Sequence, residues 1–143
     1  MSDDATVAER ASEHADLFTA QSLEASLTVL DLAASVAWYR DVVGFAADRE
    51  YRRDGVLVAQ TMRAGRVRLL LAQDTGERGL DRAKGEGFSL QLTTPDDIDA
   101  LAARIRARGG VLASEPADVY GVRAFRVRDP DGFRFAISAP RQG

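Results

Sequence analysis

Two arginines at matching positions carry the clearest chemistry in this sequence. Arg68 opens the stretch "RLLLAQ" and Arg134 opens the similar stretch "RFAISA". Alternation predicts strands that send Leu69 and Phe135 into a core and both guanidiniums to the opposite, inward face of a hollow. There they can grip a planar anion or stack on an aromatic ring. The alternative is that they snorkel to solvent, as long charged side chains often do.

Polar residues of two further strands share this inward face. Glu24 and Ser26 alternate with apolar residues in the first half of the chain, and Ser89 and Gln91 do so in the second. Glu24 is the only carboxylate that the alternation places on the inward face. It is therefore the candidate general base of an acid-base lyase or isomerase. The competing interpretation is that Glu24 pairs with one of the arginines.

Two aromatic residues complete the candidate ligand site. Tyr120 precedes the strand "VRAFRVRD" at a loop, and loops on a rigid scaffold often carry recognition. Trp38 lies one step off the apolar stripe of a helix, where it faces a pocket rim or a subunit boundary, or simply packs. Tyr39 lies on the stripe and is expected in the core.

Residue types exclude much other chemistry. The chain has no cysteine, its single histidine is His14 near the N-terminus, and "RARGG" is a helix stop rather than a phosphate cradle. No Ser-His-Asp or Cys-His arrangement is recognisable. The formal net charge of -3 argues against a nucleic-acid partner. Without a leader-like segment or an apolar run of about 18 residues, a cytoplasmic location without membrane contact is expected.

The elements that position these residues occur twice along the chain. In the first half, a strand ending at Val29 leads through a capping Asp31 to a helix that ends at Gly44, and three strands follow. In the second half, a strand with Phe88 leads through Thr94, as cap, to a helix that ends at Gly109. Three more strands follow, and the turn 129–132 joins the last two.

This order predicts an α+β domain made of two tandem βαβββ modules, at about residues 22–74 and 86–140. The modules would form a curved, mostly antiparallel eight-stranded sheet around a pocket. Residues 1–21 form an N-terminal extension, for which both a helix over residues 3–18 and a frayed tail stay open.

Several stretches resemble the vicinal oxygen chelate superfamily, which includes glyoxalase I, extradiol dioxygenases, fosfomycin resistance proteins and bleomycin resistance proteins. The resemblance rests on "VLDLAASVAWYRDVVGF", "RARGG", "YGVRAFRVRDPDGFRF" and an internal offset of 63 to 66 residues. It implies the two-module fold and, because related proteins usually pair, a homodimer.

The resemblance also implies four metal-ligand positions, at the start of the first strand and the middle of the last strand of each module. Here these positions read Glu24, Leu70, Gly87 and Ala136. Divalent metals need three or four His, Asp or Glu donors, so the resemblance is to the metal-free bleomycin resistance type. The expected function is metal-independent binding of a small aromatic or anionic ligand without a cofactor, including drug sequestration. The alternative is a glyoxalase-like or lyase/isomerase enzyme that uses Glu24.

Overall fold

The computed structural model describes residues 17–141, which form the predicted βαβββ order twice. The elements are, in chain order, β1 (Ala25–Val29), α1 (Leu32–Ala37) continuing as a π-helix (Trp38–Val43), β2 (Ala46–Arg53), β3 (Val56–Ala64), β4 (Val67–Gln73), β5 (Leu90–Thr93), α2 (Ile98–Ala107), β6 (Leu112–Val119), β7 (Val122–Arg128) and β8 (Arg134–Pro140). The N-terminal helix considered above falls on residues 3–18, of which all but the last two lie outside the described residues. No helix within residues 17–141 is long and apolar enough to cross a membrane.

The eight strands form two four-stranded sheets, one for each module. The first sheet has the order β1-β4-β3-β2 and the second has the order β5-β8-β7-β6. In each sheet the first and last strands of the module pair in parallel, and the other pairs are antiparallel. The outer strands β2 and β6 each contain register shifts. The tandem modules and the α+β class predicted from the sequence are therefore confirmed.

Side-chain caps explain where the two helices begin. Asp31 accepts a hydrogen bond from the Ala34 amide at 3.1 Å, as predicted for the first helix. The second helix is capped by Asp97, which accepts from the Ala100 amide at 2.9 Å. The prediction of Thr94 as the cap was wrong, because its hydroxyl closes a bend three residues earlier by accepting from the Asp96 amide.

The first helix ends in a π-turn that Gly44 closes. The Gly44 amide donates to the Tyr39 carbonyl at 2.9 Å, five residues back, and Gly44 adopts φ 110°, which favours glycine. The spacing of apolar residues predicted this helix, but it did not predict that the last turns are π-helical. In this arrangement the Tyr39 side chain lies in the core, with only 1% of its surface exposed.

One continuous core joins the two modules. Buried side chains come from the helices and from one face of each sheet, for example Leu71 of the first sheet and Phe125 of the second. Tyr39 of the first module packs edge-on against Phe135 of the second, with ring centroids 5.8 Å apart. Because these faces are turned to the core, the opposite face of each sheet is the one that meets solvent.

The linker between the modules is held by a buried ion pair. Lys84 pairs with Asp74, and their side chains are only 7% and 6% exposed. Asp74 also accepts a hydrogen bond from the Gly76 amide at 2.8 Å. Strand β5 starts only at Leu90, so the predicted strand residue Phe88 lies before it and is 48% exposed. The residues of turns and bends that precede Phe88 delay the start of the strand.

Candidate functional site

The solvent-facing side of the first sheet carries charges of both signs. Arg68 lies between Glu24 and Asp48, with nitrogen-to-oxygen distances of 4.0 and 3.9 Å. Ser26 sits on the same face, since it pairs with Leu70, the residue two positions after Arg68. Pairing of Glu24 with an arginine, the competing interpretation at the sequence level, is thus the arrangement found. At these distances and with all three groups partly exposed, the attraction is weak.

The corresponding side of the second sheet carries three arginines. Arg134 lies there as predicted, and Arg126 and Arg128 of the neighbouring strand β7 share the face because they alternate with buried residues. All three line a cavity of about 290 Å³. Its other lining residues include the predicted Ser89. Gln91 belongs to the same face, since it is the cross-strand partner of a residue that lines the cavity.

Sequence reasoning missed Arg126 and Arg128, although a signal for them was present. In "VRAFRVRD" they alternate with Phe125 and Val127, which are both buried. The same period-two argument that was applied to Arg134 would have placed them beside it.

The three arginines carry uncompensated positive charge. Arg128 and Arg134 are direct cross-strand partners in the antiparallel β7–β8 pair. Like charges that face each other in this way destabilise a sheet. Within residues 17–141, no carboxylate forms an ion pair with any of the three arginines. This face therefore differs electrostatically from that of the first sheet.

The turn that joins β7 to β8 is clamped to the first module. Tyr39 donates its phenolic hydrogen to Asp129 at an O–O distance of 2.7 Å. The other carboxylate oxygen of Asp129 accepts from the amides of Asp131, Gly132 and Phe133 at 2.8 to 2.9 Å. We call these hydrogen bonds of Asp129 the clamp. Because Arg128 immediately precedes the turn, the clamp fixes the backbone next to Arg128.

Burial dominates the titration of both partners in this clamp. It raises the pKa of Asp129, although the hydrogen bonds from Tyr39 and from the turn amides oppose the shift. Burial also raises the pKa of the Tyr39 phenol far above its ordinary value, and the nearby charge of Asp129 adds to this effect. Tyr39 therefore stays a neutral hydrogen-bond donor at any physiological pH.

The two predicted aromatic site residues lie apart from the arginines. Trp38 is half-buried and packs edge-on against Tyr39, with ring centroids 4.9 Å apart. Tyr120 stands at the tip of the β6–β7 hairpin with φ 49° and is 102% exposed. Neither residue lines the arginine cavity within a single chain.

The strand register corrects one of the four family metal positions. Ala25 and Leu90 pair with matching residues of β4 and β8, so they are equivalent positions in the two modules. The counterpart of Glu24 is therefore Ser89 and not Gly87 as predicted. The offset between the first strands is 65 residues, whereas the predicted caps Asp31 and Thr94 gave 63 and the observed caps Asp31 and Asp97 give 66.

The corrected set of four residues does not fit a divalent metal. It consists of Glu24, Leu70, Ser89 and Ala136, with only one carboxylate and no imidazole. In the part of the chain that the structure describes, no three His, Cys, Asp or Glu residues group in a way that could hold a metal ion. First-row divalent metals need more donors of these types around one point.

A larger cavity of about 630 Å³ lies at the start of α2. Its walls include Asp99, Asp118 and Arg123. Arg123 is already bound by both aspartates, at 2.8 and 3.1 Å. Neither the predicted site residues nor the three arginines line it. We therefore take the smaller cavity on the second sheet as the candidate site.

Comparisons with known proteins agree with this architecture. The profile of the Glyoxalase/Bleomycin resistance protein/Dioxygenase superfamily matches residues 20–137. No curated protein matches the sequence. Among solved structures, similarity extends to TnmS3, an antibiotic binding protein from Streptomyces, with 21% identity and a TM-score of 0.70 over 88% of this chain and 100% of that one.

Two other solved structures show the same fold. TioX from Micromonospora has 21% identity and a TM-score of 0.66, covering 85% of this chain and 100% of its own. A superfamily member from Sphaerobacter thermophilus has 24% identity and a TM-score of 0.67, covering 85% of this chain and 98% of its own. At these identities the similarity establishes the fold.

Proposed function

Because the chain belongs to the Glyoxalase/Bleomycin resistance protein/Dioxygenase superfamily, we propose that it is a metal-independent protein that binds a small organic molecule, as in antibiotic sequestration. One observation carries the proposal: the face where metal enzymes of such a fold would hold their ion has instead a cavity of about 290 Å³ lined by arginines. The antibiotic-binding protein TnmS3, which shares the fold, supports this class of function.

Binding without a metal is supported by the residues of the site. Glu24 is the single carboxylate among the four equivalent positions, and it lies beside Arg68 on the first sheet. A ligand must therefore be held by hydrogen bonds, guanidinium groups and stacking rather than by coordination. An acid-base enzyme that uses Glu24 gains no support from this geometry, because the Glu24 side chain is 55% exposed and lies beside Arg68 instead of being buried.

We further propose that the working unit is a homodimer in which the first sheet of one copy covers the second sheet of its partner. Both solvent-facing sheet surfaces contain half-buried apolar residues, such as Leu70 and Ala136, that a second copy would cover. Symmetric pairing is also the commonest oligomeric state. In such a dimer we expect Tyr120 and Trp38 to contact the ligand from the rim of the cavity between the two copies. We also propose a cytoplasmic location.

Thermal unfolding and calorimetry together test the proposal. Zinc, nickel, manganese and iron(II), with and without chelator, are expected to leave the unfolding temperature of the protein unchanged, and the Glu24→Ala variant serves as the control. A panel of aromatic antibiotics and small aromatic acids is expected to contain ligands that raise the unfolding temperature and bind stoichiometrically. Stoichiometric stabilisation by a metal that Glu24→Ala abolishes would overturn metal independence. A panel without any binder would overturn the binding function.

Light scattering tests the dimer separately. A mass of twice 15.5 kDa is expected for the purified chain. A monomer at all accessible concentrations would contradict the paired-sheet arrangement.

A further inference from the structure

We propose that Arg126, Arg128 and Arg134 form a subsite for a compact dianionic group of the ligand, such as a phosphate, a phosphonate or two adjacent carboxylates. This inference rests on the proposed binding function and names the chemical class of the ligand. It assigns a role to Arg126 and Arg128, which neither the sequence pattern nor the family similarity had singled out.

The strand geometry brings the three guanidiniums within reach of one group. Arg128 and Arg134 are cross-strand partners, so their Cβ atoms stand about 5 Å apart. Arg126 lies two residues from Arg128 on the same side of β7, about 7 Å along the strand. The cavity between them is also lined by Ala113 and Ala136, whose short side chains leave space above the sheet.

The charge arrangement points to an anion as the occupant. An arginine directly opposite another arginine costs stability unless something of opposite charge bridges them. Several other arginines of the described chain pair with carboxylates, for example Arg40 with Asp41 and Arg123 with Asp99, whereas none of these three does. A group with two negative charges would satisfy the arginine group through charge-assisted hydrogen bonds, for which the planar guanidinium fork is suited.

A second copy of the chain would not supply this charge. The solvent-facing side of the first sheet holds Glu24 and Asp48, but also Arg68 and the exposed Arg63, which is the cross-strand partner of Arg68. On that face the two carboxylates are accompanied by at least as many arginines. Covering the second sheet with the partner's first sheet would therefore leave the three arginines uncompensated and shielded from water, which strengthens their attraction for an anion.

The clamped turn prepares the subsite before the ligand arrives. Arg128 immediately precedes Asp129, which Tyr39 and three turn amides hold in place. Arg134 begins the strand on the other side of the same turn. A backbone fixed in this way reduces the ordering cost of binding.

Calorimetry with matched probes tests the subsite. Phthalate, phenylphosphonate and inorganic phosphate supply dianionic groups at mildly alkaline pH, and phthalamide is the neutral counterpart of phthalate. We expect the dianions to bind, with an affinity that falls as salt is added, and phthalamide to bind about tenfold more weakly or not at all. Arg128→Gln and Arg126→Gln are each expected to weaken phthalate binding about tenfold. Arg128→Lys should recover only part of the loss, because a lysine retains the charge without the fork.

Arg66→Gln is the matched control, because Arg66 is an exposed arginine of the β3–β4 turn outside the cavity. An equal loss of affinity in Arg66→Gln and Arg128→Gln would show a nonspecific charge effect and overturn the subsite. Phthalamide binding as tightly as phthalate would overturn it as well. If neutral or cationic antibiotics bind while all dianions fail, the subsite is wrong and the binding function stands. If no probe and no antibiotic binds, both are wrong.

Discussion

The hydrogen bond between Tyr39 and Asp129 offers a direct test of how the modules are joined. The Tyr39→Phe variant removes one oxygen atom and keeps the ring that packs against Phe135. It leaves a carboxylate oxygen of Asp129 without its partner in a site where that residue is only 5% exposed. Because a hydrogen bond to a charged group contributes about 1.5–3 kcal/mol, we expect the free energy of unfolding to fall by about 2–3 kcal/mol.

A loss of this size should lower the unfolding temperature by roughly 10 °C in a domain of this length. Urea denaturation followed by circular dichroism measures the free energy, and scanning calorimetry measures the temperature. Tyr120→Phe is the matched control, because the Tyr120 side chain is fully exposed and its loss should change stability by less than about 0.5 kcal/mol. A Tyr39→Phe variant as stable as the control would refute the clamp.

The same variant connects the clamp to ligand binding. If the turn positions Arg128 and Arg134 as described, Tyr39→Phe should also weaken phthalate binding under conditions where the variant is fully folded. Unchanged affinity together with lowered stability would show that the turn keeps its conformation without the hydrogen bond.

Three further outcomes are expected. Gly110→Ala should cost about 1–3 kcal/mol in urea denaturation, because its Cβ would lie 2.5 Å from Cγ2 of Ile105. The hydrogen bond from Lys84 holds the pKa of Asp74 below its usual range, so the stability this gives is present above about pH 4 and is lost as the pH falls through the lowered value. On acid titration, the stability advantage of the wild type over Asp74→Asn should therefore shrink, and a constant advantage would contradict this. Arg128→Gln should leave the unfolding temperature unchanged or raise it by up to roughly 4 °C, because it relieves a like-charge pair, and a clear decrease would point to a structural role.

Local signals in the sequence were sufficient for most of the fold. Alternation placed β1, and the turn at residues 129–132 appeared as expected, with the Gly132 amide bonded to the Asp129 carbonyl. The second helix start was harder, because Thr94 and Asp97 both have capping side chains three residues apart. Only the three-dimensional path of the chain shows which one reaches a helical amide.

The parts of the site that depend on distant residues could not be predicted. Asp129 accepts a hydrogen bond from Tyr39, 90 positions away in the sequence, and no local sequence pattern predicts such a partner. Pairing of Glu24 with one of the two arginines was an alternative at the sequence level, and the structure identifies Arg68 as the one beside it. Arg126 lay within reach of the alternation argument, which was applied to Arg134 but not to the neighbouring strand.

The ion pair between Asp74 and Lys84 has a consequence for how this chain can change its length. Because the pair holds the two ends of the intervening segment together, the exposed residues between them form a closed loop outside both modules. The entropy of closing such a loop grows only slowly with its length. Insertions between residues 77 and 82 would thus leave the core, the clamp and the cavity of the three arginines unchanged. A reporter domain could be inserted in this segment, and the segment can lengthen during evolution without loss of the fold.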